Sequence, residues 1–262
     1  MCEDCGCEQA NSGHHHTHSH DGHTHHHHDS DHHHTHDHDS AHTHNKNGRE
    51  IQLQQKILSK NDEIAAKNRQ WLDERGVIAV NLISSPGSGK TLLLERTLER
   101  LKGKLGCAVI TGDQQTDNDA KRLKGKGAIV KQIETINSCH LNAEQIAALL
   151  PETVGPDTKL LLIENIGNLV CPSAFDLGEH FKIALLSTPE GEDKPVKYPS
   201  LFTKAPVVVL TKMDLTPHLD WDLATCRKHL RSVRPGVFIF ELSAKTGNGM
   251  DAWIDYLIGL TR

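Results

Sequence analysis

Short apolar runs alternate with amphipathic stretches along the chain after Gly76. The runs predict strands at Val77–Ile83, Cys107–Thr111, Ala128–Ile133, Leu160–Ile163, Ile183–Ser187, Val207–Thr211 and Val237–Leu242. Helical patterns lie between most of them, at Leu92–Leu101, Asp117–Lys124, Ala143–Leu150, Leu219–Arg231 and Met250–Leu260. Continuous apolar strands separated by helices are typical of a mainly parallel central sheet with helices on both faces. We therefore predict one α/β domain over residues 77–262.

A seven-residue repeat of apolar pairs precedes this domain. The pairs are Ile57/Leu58, Ile64/Ala65 and Trp71/Leu72. Their spacing places one narrow apolar face on a helix, which we predict over residues 49–76 and which Gly76 can end. A helix docked on the following domain is the first interpretation. A dimerising coiled coil is the alternative, although the heptads are few.

The first 48 residues contain almost no apolar side chains and cannot bury enough surface to fold alone. Of the 21 histidines, 17 lie between His14 and His44. The first 48 residues also contain eight acidic residues and one basic residue, Lys46. We therefore predict that residues 1–48 form a disordered, Cys/His-rich tail unless metal organises it. This tail carries a net charge of −7, so the rest of the chain carries +2 of the total of −5.

Composition also argues against several classes of protein. The near-neutral body gives no electrostatic reason to expect a nucleic acid or an anionic membrane as partner. No run approaches the roughly 18 uninterrupted apolar residues of a transmembrane helix, and no basic segment followed by an apolar one opens the chain as in a secretory signal. The seven cysteines are an odd number and indicate thiols or metal ligands, not a disulfide framework. We expect a cytoplasmic protein.

A glycine-rich turn, residues 84–91 with the sequence SSPGSGKT, follows the first predicted strand. In a phosphate-binding loop, backbone N–H groups surround phosphate oxygens, a lysine reaches the β- and γ-phosphates, and a hydroxyl ligates Mg²⁺. Lys90 and Thr91 supply the lysine and the hydroxyl, and the loop backbone comes from Gly87, Ser88 and Gly89. Ser84 stands where the general pattern has its first glycine, which is a departure. The strand before and the helix after the turn argue against a chance glycine turn.

Two later segments identify the nucleotide. Thr211-Lys212-Met213-Asp214 ends an apolar strand, where GTPases carry Asn-Lys-x-Asp, so Thr211 departs from the pattern while Lys212 and Asp214 match it. The Asp214 carboxylate can accept from guanine N1–H and N2–H₂, a pair of donors that adenine lacks. The next strand is followed by a tripeptide that matches the guanine O6 loop of GTPases: Ser243, Ala244 and Lys245. GTP is therefore favoured over ATP.

Two acidic residues are candidates for the side of the site that holds Mg²⁺ and the γ-phosphate. Glu164 ends the strand Leu160–Ile163, where P-loop proteins place an acid that holds Mg²⁺ directly or through water. Asp113 follows the second strand and is the best switch candidate, the alternative being a turn-forming aspartate. We therefore assign hydrolysis of GTP to GDP and phosphate to Lys90, Thr91, Asp113 and Glu164, the last three as Mg²⁺ ligands. No arginine or glutamine can be assigned to orient the attacking water, so we expect slow intrinsic hydrolysis.

The tail contains two patterns typical of metal binding. Cys2, Cys5 and Cys7 place three thiols within six residues, and Gly6 lets the backbone fold back so that all three can grip one ion. A redox pair and an uninvolved tail are the alternatives. The tract His14–His44 offers imidazoles that suit Ni²⁺, Zn²⁺ and Cu²⁺ in several interchangeable sites. Its histidines are dispersed among acids and hydroxyls, which favours ion storage over an expression tag.

A third group of candidate metal ligands lies inside the predicted domain. Cys139 and His140 are adjacent in a segment just before a helix, and Cys171 lies seven positions after Glu164. Two or three ligands leave coordination unfilled, so a second subunit across a two-fold axis could complete the site. Cys107 and Cys226 lie in strand and helix patterns instead, and we interpret them as inert core residues.

These residues together resemble the HypB family of GTPases, which belongs to the dimerising class of P-loop NTPases and is related to UreG. The resemblance covers essentially the whole chain and depends on the motifs CEDCGC, SSPGSGKT, GDQQTDND, NSCHL, ENIGNLVCP and GEDKPVKYP. It implies GTP hydrolysis, GTP-dependent homodimerisation and assistance with nickel insertion into [NiFe]-hydrogenase. The implied partners are a HypA-like nickel chaperone and the hydrogenase large-subunit precursor, with SlyD as a further candidate.

The resemblance also implies roles for individual residues. Cys2, Cys5 and Cys7 would form a tight nickel site, and Cys139, His140 and Cys171 a domain site that accepts nickel or zinc. Lys194 or Lys197 would reach guanine in the partner subunit.

Two other functions stay open at this point: UreG-like nickel delivery to urease, and primarily nickel storage by the tail.

We further predict that the segment from Glu164 to Cys171 couples the nucleotide to the metal, because it joins the two sites within seven residues.

Overall fold

The computed structural model describes residues 46–113, 122–135 and 138–262, with only the backbone described at 46–54 and at Asp113. The predictions for the tail, including Cys2, Cys5, Cys7 and the tract His14–His44, lie outside the described residues. Most of the predicted helix Asp117–Lys124 does so as well.

Seven parallel strands form one sheet in the spatial order β3-β2-β4-β1-β5-β6-β7. The strands are β1 Ile78–Ser84, β2 Cys107–Asp113, β3 Ala128–Glu134, β4 Leu160–Glu164, β5 Phe181–Ser187, β6 Val207–Thr211 and β7 Phe238–Glu241. Every pairing between neighbours is parallel. The predicted α/β fold with a parallel sheet is therefore confirmed.

Five helices longer than two turns are present in the described part of the chain. They are α1 Lys46–Asp73, α2 Lys90–Leu101, α3 Ala143–Thr153, α4 Leu223–Val233 and α5 Met250–Leu260. Shorter helical turns occur at Cys171–Ala174, Thr188–Glu190, Lys194–Lys197, Pro199–Phe202 and Met213–His218. In the described residues, no helix is both long enough and apolar enough to cross a bilayer.

Strand β1 shows why the helices cover both faces of the sheet. Its side chains alternate between the faces, as the period of a strand requires. Val80 and Leu82 pack with α2 and α5, whereas Ala79 packs with α1 and α3 and Ile83 with α4. Because both faces are buried, the strands need continuous apolar runs, and this is why the sequence pattern predicted them.

Helix α1 is docked on the α/β domain, in agreement with the first of the two interpretations. Ala65 and Leu72 are fully buried against it. Arg69 holds both carboxylate oxygens of Asp176, at 2.6 and 2.7 Å. Gly178 allows this approach, because its φ is +92° and a Cβ there would lie 2.5 Å from Asn68 Cβ. The helix is followed by Gly76 at φ +61°, a conformation that glycine adopts without steric cost.

Candidate nucleotide and metal sites

The glycine-rich turn connects β1 to α2 at the carboxyl edge of the sheet. Gly87 and Gly89 have φ values of +74° and +91°, which side chains disfavour. Ser84, which replaces the usual glycine, is fully buried and accepts a hydrogen bond from Lys90 Nζ at 3.0 Å. Its Oγ also lies 2.6 Å from Ser88 Oγ. The departure from the general pattern thus provides an anchor for the lysine side chain.

The donors predicted for Mg²⁺ converge beside this turn. Thr91 Oγ1 donates to Glu164 Oε1 at 2.7 Å, and Thr111 Oγ1 donates to Glu164 Oε2 at 3.2 Å. Glu164 is only 2% exposed, so its carboxylate depends on protein partners or a cation for compensation. Carboxylate and hydroxyl oxygens are ligands that Mg²⁺ prefers, and the residues present fit this ion.

The backbone places Asp113 at the same edge of the sheet. In the register of β2 with β4, Thr111 lies opposite Glu164, and Asp113 follows two residues later. The assignment of Asp113 as a magnesium ligand stays a prediction. Thr111 is a residue that sequence reasoning missed; the signal was a hydroxyl at the end of an otherwise apolar strand.

The two segments predicted to recognise the base lie side by side after β6 and β7. Ser243 Oγ donates to Asp214 Oδ1 at 2.6 Å, and Met213 N donates to Leu242 O at 3.2 Å. Ser243 is buried, Ala244 is half-buried and Lys245 is exposed. The hydrogen bond fixes one oxygen of Asp214 and thereby orients the carboxylate that would accept from guanine.

Thr211 and Lys212 tie this base-recognition region to the phosphate loop. Thr211 Oγ1 donates to Ser88 O at 2.7 Å, and Lys212 Nζ donates to Gly87 O at 2.7 Å. Lys212 has a φ of +58°, so its backbone bends sharply where β6 ends. The threonine that departs from the Asn-Lys-x-Asp pattern therefore makes a structural contact with the loop itself.

The loop before α3 brings two of the three predicted metal donors together. Cys139 Sγ lies 3.6 Å from His140 Nδ1. His140 is buried, stacks on Phe175 with ring centroids 3.8 Å apart, and lines a cavity of about 290 Å³ next to α1. Cys171 is buried at the start of the helical turn Cys171–Ala174.

Cys171 does not complete a metal site with other residues that the structure describes. Among the described residues, no three or more histidine, cysteine, aspartate or glutamate side chains are grouped so that they could hold a metal ion. The three-residue site at Cys139, His140 and Cys171 therefore stays a prediction.

Cys107 and Cys226 are core thiols. Cys107 lies on β2 and belongs to the core cluster that the sheet forms with α2 and α5, and Cys226 lies on α4 and belongs to the cluster that this helix forms with the sheet. Burial raises the pKa of each thiol to about 12. Both therefore stay protonated at neutral pH and are poor metal ligands, as we interpreted them from the sequence.

Comparison with known proteins places this arrangement in a family. Residues 78–241 match the nucleotide-binding domain described as CobW/HypB/UreG. The chain is 47% identical to the hydrogenase maturation factor HypB of Escherichia coli K12 over 209 residues. This match covers 80% of this chain and 72% of that protein. The chain belongs to the HypB proteins of this family. The resemblance inferred from the motifs is confirmed.

Two solved HypB structures are similar to the fold of this chain. HypB from Archaeoglobus fulgidus is 38% identical, with a TM-score of 0.74 over 78% of this chain and 100% of that one. HypB from Helicobacter pylori, solved in complex with nickel, is 37% identical, with a TM-score of 0.73 over 78% of this chain and 95% of that one. This chain thus has the nucleotide-binding fold of HypB proteins.

A buried chain of amides and ions is a further feature of this HypB-family chain that sequence reasoning missed. It runs from Asn165 through Asn81 to Glu179, which is paired with Lys182. Asn81 is a polar residue in the middle of the apolar run VIAVNLI, and Asn165 directly follows a buried strand. A polar side chain at a core position needs hydrogen-bond partners, and this was the signal that could have identified both amides.

The segment after β4 also packs directly on the phosphate loop. A Cβ at Gly167 would lie 3.0 Å from Pro86 Cα and 3.1 Å from Pro86 N. A side chain at this position would require Pro86 to move by a few tenths of an ångström. The segment between Glu164 and Cys171 is therefore in contact with the nucleotide site at two places, Glu164 and Gly167.

Proposed function

We propose that this protein is a GTP-hydrolysing nickel metallochaperone that assists nickel insertion into [NiFe]-hydrogenase, with nickel binding and storage by its tail. The observation that carries the proposal is the pair of ties from Thr211 and Lys212 to the phosphate loop. They join a phosphate site and a guanine-type base site within one domain of a HypB protein. Relatives that are hydrogenase maturation factors support the assignment to hydrogenase.

In this proposal the phosphate loop binds the triphosphate. The N–H groups of Gly87, Ser88 and Gly89 surround the phosphate oxygens, and Lys90 donates to the β- and γ-phosphates. Ser84 holds the Lys90 ammonium in place before the nucleotide arrives. Thr91, Asp113 and Glu164 would hold Mg²⁺, which neutralises charge that develops on the phosphates. Hydrolysis is slow in a single chain, because no side chain is assigned to orient the attacking water.

Base recognition is assigned to Asp214 together with Ser243, Ala244 and Lys245. Asp214 accepts from guanine N1–H and N2–H₂, and its second oxygen is held by Ser243. ATP is disfavoured because adenine would leave the carboxylate without these donors, and an unpaired charge in a site is costly. Lys194 or Lys197 would reach the guanine of a second subunit.

Nickel is the cargo in this scheme. Cys139, His140 and Cys171 would bind it at a GTP-dependent homodimer interface, since one chain lacks a complete donor set among its described residues. Nickel prefers a more planar thiolate and imidazole arrangement and zinc a tetrahedral one, so the two ions need not respond alike. The HypB of Helicobacter pylori, solved with nickel, supports nickel over other cargo.

The segment from Glu164 to Cys171 would couple the two sites. Glu164 lies where GTP and GDP differ most, and Gly167 packs on Pro86 of the phosphate loop. A rearrangement on hydrolysis would therefore reach Cys171. Such coupling is reciprocal and typically about 1–3 kcal/mol, so GTP should change nickel affinity by roughly 5- to 150-fold. Equal nickel affinities with GDP and with a non-hydrolysable GTP analogue would contradict it, and Cys171→Ala should abolish the difference.

The biological role is tested in a strain that lacks the protein. Hydrogenase and urease activities are measured with and without added nickel. We expect loss of hydrogenase activity with urease preserved. Loss of urease would favour UreG-like delivery instead.

A second strain, in which residues 1–48 are deleted, tests the tail. Pure storage predicts a hydrogenase defect only when nickel is scarce. The proposed cytoplasmic partners are a HypA-like nickel chaperone, the hydrogenase large-subunit precursor and SlyD. Each interaction can be tested by co-purification of the partner with this protein from the wild-type strain.

A further inference from the structure

The buried amide of Asn165 joins the segment after Glu164 to the loop that carries Cys139 and His140. Its Oδ1 accepts from Leu141 N at 3.3 Å and from Ile166 N at 3.0 Å. Leu141 directly follows His140 in the chain. The Asn165 side chain is only 1% exposed, so a lost hydrogen bond here is not replaced by bulk water.

Neighbouring groups determine which way the Asn165 amide faces. The Glu179 carboxylate is paired with Lys182 and accepts from Leu177 N at 2.6 Å. An ionised carboxylate can only accept, so Asn81 directs its NH₂ group toward Glu179, at 3.2 Å. The Asn81 oxygen is then left for Asn165 Nδ2, also at 3.2 Å.

This orientation has a consequence for the Cys139–His140 loop. With its NH₂ group committed to Asn81, Asn165 presents its oxygen to two backbone N–H groups on different segments. One belongs to the segment that starts at Glu164 and the other to the loop of Cys139 and His140. A shift of the Glu164 end would therefore strain or break the contact with Leu141.

We infer that Asn165 is a positioning residue that transmits nucleotide-dependent movement of Glu164 to Cys139 and His140. This inference rests on the proposed function, because it names the residue through which the nickel and nucleotide sites would be coupled. It differs from the Cys171 route, since the contact runs across space to the other half of the proposed metal site. Asn165 is not among the residues proposed to hold either ligand, and it acts through backbone N–H groups.

The test uses nickel alone as the probe and the full chain with Cys2→Ala, Cys5→Ala and Cys7→Ala as the background. Thiolate-to-nickel charge-transfer absorbance then reports on the domain thiols, because the histidine tract supplies no sulfur. Nickel affinity is measured with GDP and with a non-hydrolysable GTP analogue at buffered free nickel. The readout is the ratio of the two affinities, for which we expect roughly 5- to 150-fold in the background chain.

Adding Asn165→Ala should bring this ratio close to 1 while GDP affinity stays within about threefold of the background. The matched control is Asn61→Ala. Asn61 is also a buried amide, and its Oδ1 accepts from Ala143 N at 2.9 Å in the segment after the same loop, but from the α1 side. Asn61→Ala should loosen the segment and keep the ratio. An unchanged ratio in Asn165→Ala, or an equal loss in both variants, would overturn the inference.

A second measurement needs no variant. Hydrogen exchange of the Leu141 and Ile166 amides in the full chain should change together between GDP and the GTP analogue, because one oxygen accepts from both. A response at Ile166 with none at Leu141 would overturn the role of Asn165. Equal nickel affinities in the background chain would instead refute the proposed coupling itself, and this inference with it.

Discussion

The two ends of the Glu164–Cys171 segment differ in how much of their site a single chain provides. At the Glu164 end, the carboxylate already contacts Thr91 and Thr111, and Ser84 holds Lys90. At the Cys171 end, the thiol is buried, and the described residues contain no complete group of metal donors around it. Among the described residues, the donors at the Glu164 end are already assembled and those at the Cys171 end are not.

This difference follows from where the residues lie. The nucleotide residues sit at the ends of neighbouring parallel strands, which meet at one edge of the sheet and hold side chains in fixed positions. Cys139, His140 and Cys171 lie on connections between elements, which can adopt more than one arrangement. A predicted nucleotide site whose side chains already contact one another, and a predicted metal site with no complete donor group among the described residues, together suit the proposed switch.

The largest expected difference is in alkylation rate, between the core thiols Cys107 and Cys226 and the loop thiol Cys139. Burial raises the pKa of Cys107 and Cys226 to about 12 from 9.0, so their thiolate fraction at pH 8 should be about 1,000-fold below that of an ordinary thiol. Raising the pH toward 12 should speed their alkylation. Peptide mapping after iodoacetamide treatment should show Cys139 modified before Cys107 and Cys226. Comparable labelling of Cys226 and Cys139 at pH 8 would show that the core near α4 opens readily.

The next prediction concerns the Lys90 ammonium group, which Ser84 holds at the Glu164 end of the segment. Lys90→Ala should lower kcat/KM for GTP by at least about 100-fold, because a preorganised charge on the transferring phosphate is lost. Nickel binding at Cys2, Cys5 and Cys7 should persist, since the tail is predicted to act separately. The exposed Lys104→Ala serves as the control for a lysine lost nearby. Loss of both GTP hydrolysis and tail nickel would indicate one integrated site.

A third prediction concerns base identity. Asp214→Asn replaces an acceptor by a group that can donate, so preference should shift from guanine to xanthine nucleotides. Affinity for GTP should fall about 10- to 150-fold, the range for hydrogen bonds to a charged group. The exposed Asp220→Asn should leave binding unchanged. If Asp214→Asn binds and hydrolyses GTP as the parent does, the guanine contact is wrongly assigned.

The smallest expected effect is that of removing a helix cap, and it tests whether the cap of α3 contributes to nucleotide binding. Asn142 caps α3 by accepting from Gln145 N at 2.9 Å, and Asp222 caps α4 by accepting from Thr225 N at 3.0 Å. Asn142→Ala and Asp222→Ala should each lower the free energy of unfolding by about 1 kcal/mol. Denaturant titration measures this. Neither variant should change nucleotide affinity; weaker GTP binding in Asn142→Ala alone would show that the cap of α3 supports the nucleotide site.

Local patterns predicted much of the fold because each element is contiguous in the chain. Val207–Thr211 and Met250–Leu260 have the predicted bounds, and most other strands differ from prediction by one or two residues at an end. Helix α4 begins at Leu223, four residues later than predicted, where Asp222 supplies the cap. The pattern of apolar residues does not locate a cap, and this explains the error.

The sequence by itself determined the α/β order of the elements, and it located the glycine-rich turn and the two segments predicted to recognise the base, because each depends on a few neighbouring residues. Only the tertiary structure decided that Thr211 contacts Ser88, 123 positions away, and that Asn165 contacts Leu141. It also placed Cys139 Sγ 3.6 Å from His140 Nδ1, while no group of three or more metal donors is assembled among the described residues. Such contacts join residues far apart in the chain and depend on the order of the strands and the paths of the loops. No local pattern of residues predicts them.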